Sequence, residues 1–163
     1  MKKAIIAIGT ALALTACGSD ESGTFETDSG EGSYTVDRDG DDVNIQASSD
    51  EGEFSLTTGD DLDVAMPEGF SVYPGATVVS NMTVDQEDGG GGSVVTLQSD
   101  ASVDELLAFY RAEASGAGIE IKSELDVRGM QIIAGEDSEG ASFTFRAGEG
   151  DNGGTAATLM VGQ

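Results

Sequence analysis

Carboxylates are the only side chains with chemistry that this chain carries in quantity: 31 Asp and Glu among 163 residues, against seven Lys and Arg and no His. Asp37, Asp39, Asp41 and Asp42 surround Gly40 and resemble a calcium loop at first sight. Such a loop needs glycine at position six and a bidentate glutamate at position twelve. Counted from Asp37, glycine falls at position four and Ser48 at twelve, so the ligand spacing fails. A two-residue hairpin turn at Asp39-Gly40 explains the same residues. Asp60, Asp61 and Asp63, and likewise Glu149, Asp151 and Asn152, sit in loop segments without ligand spacing. Two carboxylates about 5 Å or 6.5–9.5 Å apart can cleave a glycosidic bond. With this many acids some pair meets that distance by chance, so the pattern carries no signal. The glycine runs 89–92 and 153–154 join strands rather than opening helices, which makes them loops and not phosphate cradles. The lack of histidine removes Ser-His-Asp and Cys-His activation, imidazole zinc sites and histidine pH switching together. We therefore assign no catalytic residue, no metal ligand and no cofactor, and expect a protein that is not an enzyme.

One nucleophile remains, the thiol of Cys17, the only cysteine in the chain. It follows a basic start, Lys2-Lys3, and an apolar run of eleven residues, Ala4 to Leu14. As a helix that run would reach only about 16 Å, against a hydrocarbon core of roughly 30 Å, so it is a secretory signal and not a membrane span. Leu14-Thr15-Ala16-Cys17 resembles the lipobox of bacterial lipoproteins. The resemblance implies that Cys17 receives a diacylglycerol on sulfur, that residues 1–16 are cut away as a signal peptide, and that the new amino group is acylated (palmitate being the usual chain). Gly18-Ser19 follow with no Asp after the cysteine, which favours the outer membrane over the inner. The implied partner is the membrane itself, through lipid on Cys17, on the periplasmic side of the cell envelope. Two or three acyl chains on one residue hold far more firmly than the marginal single chain.

Downstream of residue 16 lie five bases, Arg38, Arg111, Lys122, Arg128 and Arg146, and all 31 acids, a net charge of −26. Such a charge repels nucleic acid and anionic lipid, so electrostatics cannot hold this domain on a membrane. The acidity reads first as a solubility device and second as cation binding.

The rest of the chain must position whatever acts. Residues 17–32 are Ser, Gly, Thr and acid with Phe25 as the one large apolar residue, a flexible lipidated tether. Residues 33–58 alternate apolar and polar, with Tyr34, Val36, Val43, Ile45, Ala47, Phe54 and Leu56 at period two, which predicts a three-strand β-meander. Too small to be stable alone, it is expected to dock on the larger part. Residues 59–75 hold both prolines, Pro67 and Pro74, and form a hinge pinned by Phe70, Val72 and Tyr73. Within 76–163, strands are predicted at 76–85, 93–99, 119–126, 130–135, 141–147 and 155–161. Their inward residues are Val78, Met82, Val84, Val95, Leu97, Ile119, Ile121, Leu125, Ile132, Phe143, Phe145, Leu159 and Val161. The one amphipathic helix, about 102–117, starts at a capping box, Ser102 with Glu105, and ends at Gly116 and Gly118. Its stripe is Val103, Leu106, Leu107, Tyr110, Ala114 and Ala117; Phe109 lies off it and either covers a flanking strand or is exposed, cover being the commoner outcome. The fold class read from this is α+β: an antiparallel sheet with one helix packed on it, preceded by the meander.

Pro67-Glu68-Gly69-Phe70, Tyr73-Pro74-Gly75-Ala76, Phe109-Tyr110-Arg111 and Gly118-Ile119 together resemble a module of uncharacterised secreted and lipid-anchored proteobacterial proteins. The resemblance covers about residues 66–163. It implies a fold and an address and brings no activity. The function expected is a lipid-anchored envelope protein, a non-catalytic interaction module for an envelope protein or glycan and not for nucleic acid. Two alternatives stand beside it: a calcium- or cation-dependent binding domain, and a carboxylate-dependent envelope hydrolase.

Overall fold

The structure is a computed structural model that describes residues 20–26, 30–64, 66–87, 90–150 and 153–162. The expected signal peptide 1–16, the expected lipidation site Cys17, and Asp88, Gly89, Asp151 and Asn152 of the expected loops lie outside the described residues. Among the described residues ten strands and one helix follow in order: β1 (Asp20–Glu26), β2 (Glu31–Asp39), β3 (Asp42–Ser49), β4 (Gly52–Thr58), β5 (Thr77–Gln86), β6 (Gly91–Ser99), α1 (Val103–Gly116), β7 (Glu120–Val127), β8 (Met130–Glu136), β9 (Ser142–Glu149) and β10 (Thr155–Gly162).

All ten strands form a single antiparallel sheet in the order β1-β2-β3-β4-β5-β6-β10-β9-β8-β7. This corrects the expected α+β class. The protein is β-rich, and the meander is no separate layer docked on a second sheet. Its last strand pairs directly with β5, from Gly52 opposite Gln86 to Thr58 opposite Ser80. The physical reason is the strand edge: the open N–H and C=O groups of β4 are satisfied by adding a ladder, which demands no second apolar surface. The tether is corrected as well, because Asp20–Glu26 is a strand paired with β2 along its whole length. No period-two pattern announces it. Two cross-strand contacts hold it instead: the Tyr34 ring lies over Gly23, where a Cβ would meet it at 2.7 Å, and the Phe25 ring covers Gly32. Each glycine gives the opposing aromatic ring a surface to lie on.

The core lies between α1 and β6–β10. Ser102 caps the helix: its Oγ accepts from the Glu105 N–H, while the Glu105 carboxylate accepts from the Ser102 N–H at 2.9 Å. The helix ends at Gly118, whose φ of +83° suits glycine, with the Ile119 N–H reaching back to the Ala114 carbonyl at 2.8 Å. Leu106, Leu107, Tyr110 and Ala114 face inward as the stripe requires, whereas Ala117 is the exposed C-cap. They pack on Val95, Leu97, Ile133, Phe143, Phe145, Ala147, Ala157 and Leu159. The Tyr110 ring stacks on Phe145 at 4.3 Å between centroids.

Residues 59–75, expected as a hinge, are strapped to the same side of the sheet. Phe70 is buried and stacks on Phe143 at 5.4 Å; Leu62, Val64, Met66, Val72 and Tyr73 pack around it. Ser71 donates from N and Oγ to the Glu113 carboxylate at 2.8 and 2.5 Å, and the Tyr110 hydroxyl donates to the Ser71 carbonyl at 3.2 Å. Phe109 therefore covers Tyr73 of this strap, edge to face at 5.2 Å, and not a strand.

Two β-bulges overturn part of the expected core. One between Val78 and Ser80 shifts the pleat by a residue, so Val78 points at the helix while Met82 and Val84 point away. The other, between Ile121 and Ser123, does the same to β7: Ile121 reaches the core, and Leu125 is 56% exposed on the opposite face. In β8 it is Ile133, opposite Phe145, that is buried, while Ile132 faces away.

Candidate functional site

A sheet covered on one side for half its width leaves large surfaces open, and their chemistry follows from register. On β2–β5 the face on the helix side carries Ser33, Thr35, Asp37, Asn44, Gln46, Ser48, Glu53, Ser55, Thr57, Asn81, Thr83 and Asp85. Several of these polar groups bond to one another, across strands or along one. Ser33 and Ser48 hydroxyls lie 3.2 Å apart, the Gln46 amide donates to Asn44 and the Asn44 amide to Thr57, each at 3.1 Å, and Ser93 donates to Asn81 at 3.3 Å.

The reverse face is the opposite in character. Rows of directly paired residues run across it: Tyr34, Ala47, Phe54 and Val84 in one, Val36, Ile45, Leu56, Met82, Val94 and Met160 in the next. Every one of these side chains is only half-buried. On β2–β6 this face bears no carboxylate and a single base, Arg38. That is a marked asymmetry in a chain at −24, because the acids of the same strands, Glu31, Asp37, Asp39, Asp42, Glu53 and Asp85, all fall on the other pleat. Among the described residues no helix or loop packs on it. Near the β1 edge it holds a shallow depression of about 220 Å³ touching Phe25, Ala47, Phe54 and Val84, with Glu51, Glu53 and Asp85 at its lining as well. At the far end of the same face Leu125, Val127 and Met130 add an exposed apolar group.

The acids singled out from the sequence do not converge. Asp39 and Asp42 close the β2–β3 hairpin, with Gly40 at φ +66°, and Asp41 is exposed beside it. Asp60, Asp61 and Asp63 lie exposed after β4, and Glu149 at the end of β9. Among the described residues no three acids gather as metal ligands. Asp37 stands directly opposite Asp20, and the hydrogen bond and charge repulsion between them push its carboxyl above the ordinary value. That pair sits on the exposed outer hairpin, where a shared proton meets water and no cleft. Asp137 is held low instead, since its carboxylate accepts from the N–H groups of Ala141, Glu139 and Gly140 and closes the turn before β9. The Tyr110 hydroxyl is pushed up to about 12 by burial. Gly91 lies where a Cβ would meet the Val84 carbonyl at 2.5 Å, so this glycine lets two strands approach. No described helix is long and apolar enough to cross a membrane.

The acid-free face went unnoticed in the sequence, although the signal is there: from Tyr34 to Leu56 the apolar residues occupy one pleat and the acids the other. A family model described as START domain-like matches residues 78–154, from within β5 to the turn before β10. The match leaves out β1–β4. No curated protein and no solved structure matches the chain.

Proposed function

We propose that this chain is a lipid-anchored module of the cell envelope that works by binding, not by catalysis, through the acid-free apolar face of β2–β6. The single observation that carries the reading is that face: large, half-exposed and nearly uncharged on a molecule otherwise crowded with carboxylates. Contiguous apolar surface beyond a few hundred Å² is rare on proteins that meet no partner. The START domain-like match over 78–154 supports a binding module.

The anchor is the lipid on Cys17, and the strand at β1 changes what it does. Asp20 is three residues after Cys17, a span of at most about 10 Å when fully extended. The sheet is thus held at the membrane surface and not on a long leash, periplasmic side, on the outer membrane. The charge of the domain opposes anionic lipid, so the acyl chains supply the attachment.

The test is Cys17→Ser in cells that express the full chain. The wild type is expected to label with palmitate and fractionate with the outer membrane, whereas the variant loses the label and stays uncut. Labelling or processing that survives the substitution would overturn the anchor.

A further inference from the structure

We infer that the occupant of the bare β2–β6 face is a second copy of this chain, packed sheet on sheet. The inference rests on reading that face as an interaction surface and names what it meets. Its size fits. Five strands at about 4.8 Å spacing and roughly eight residues at 3.3 Å give on the order of 600 Å² per copy. Two copies bury about 1,200 Å², the lower bound of stable specific interfaces.

Its relief fits as well. The row Tyr34, Ala47, Phe54, Val84 alternates large and small, with the depression at Ala47 flanked by aromatic rings. A two-fold axis between β3 and β4 sets the Phe54 ring of one copy against Ala47 of the other, a self-complementary arrangement. Two amphipathic sheets packed this way form a sandwich about 10 Å thick, the usual end of a sheet with one apolar face.

Charge selects this face over every other. Two copies repel wherever their acids meet, and strands β2–β6 present none on this face; Glu21 of neighbouring β1 shares it and is paired with Arg38. In the sandwich the carboxylates point outward from both sheets, roughly 20 Å apart across it, more than two Debye lengths at physiological salt. A bilayer is the poorer occupant. Laying this face in lipid would carry the open backbone edge of β1 with it, and an unpaired strand edge is not tolerated there. The anchor favours the second copy further, since chains confined to one membrane meet at high local concentration.

The experiment co-expresses two differently tagged full-length copies, captures one from detergent extracts and reads the other, at low and high salt. Co-capture is expected and rises with salt as repulsion is screened. Ile45→Asp and Leu56→Asp each reduce it at least tenfold, while Ser55→Asp, next to Leu56 on the polar pleat, leaves it unchanged. Retained circular dichroism and Tm in the variants show that folding is not the cause. Absence of co-capture at both salts, or equal loss from Ser55→Asp, overturns the second copy. If Ile45→Asp instead removes a different envelope protein with no second copy present, the occupant is wrong and the binding face stands. If it removes nothing at all, both fall.

Discussion

Strands β6–β10 and strands β2–β4 share one hydrogen-bonded ladder, yet only the first group has its apolar side chains out of water. Under α1, Val95, Leu97, Phe145 and Leu159 are fully buried. On β2–β4, Tyr34, Val36, Val43, Ile45, Phe54 and Leu56 are half-buried with the same period-two pattern. The difference teaches what each force does. Backbone pairing extends a sheet for as long as strands arrive to satisfy the edge, but burial needs a second layer, and one 14-residue helix with one strap covers only half the width. The amphipathic extension is therefore complete in hydrogen bonds and incomplete in packing.

That contrast can be broken most directly by truncation on each side of it. Phe145→Ala removes a ring stacked on Tyr110 in the dry layer and is expected to cost about 3–5 kcal/mol. Leu56→Ala, half-exposed on the bare face, is expected to cost about 1 kcal/mol. Urea unfolding of the two variants at low protein concentration compares them, and equal costs would mean that the two regions are buried alike.

A smaller effect sharpens the covered side. Ser102→Ala removes the helix cap and is expected to cost about 1 kcal/mol at neutral pH. The Ser102 hydroxyl and N–H hold the Glu105 carboxyl below its ordinary value. A depressed folded pKa contributes stability that is full above the unfolded value near 4.5 and is lost as pH falls through the lowered folded value. The gap between variant and wild type should narrow in that acid window, and a gap constant with pH would assign the cap to the hydroxyl alone.

The smallest effect probes the outer hairpin. The Asp37 carboxyl is raised because Asp20 stands opposite. A raised folded pKa means that pairing is tightest below the unfolded value near 3.8 and loosens as pH rises through the raised one. Asp37→Asn should slow amide exchange along β1 at neutral pH by a factor of order two, and leave it unchanged in acid. Slowing at both ends of the range would point to packing and not to charge.

Much of the local architecture was legible. The Ser102/Glu105 box, the Gly118 stop, the β2–β3 turn (at Gly40-Asp41, one residue on from the expected Asp39-Gly40) and the strand spacing are short-range choices between neighbouring residues. The failures share one cause. At Val78/Ser80 and Ile121/Ser123 a single inserted residue reverses the pleat for the remainder of the strand, and period two cannot see an insertion. At Ile132-Ile133 two equal side chains point to opposite faces, and only pairing with Phe145 selects Ile133. Strand β1 was missed because rings over Gly23 and Gly32 hold it, and those contacts belong to the paired strand.

By itself the sequence determined where strands, turns and the helix fall, that each strand of the meander has one apolar pleat, and that its acids occupy the other. Those are consequences of backbone periodicity and side-chain type. Only the tertiary structure decided that the meander joins the main sheet, and that the helix and strap dock on the side to which the meander turns its polar pleat. The chain crosses from β6 through α1 to the far edge at β7, so the cover lands over β6–β10, and the apolar pleat of β2–β5 is left facing the other way.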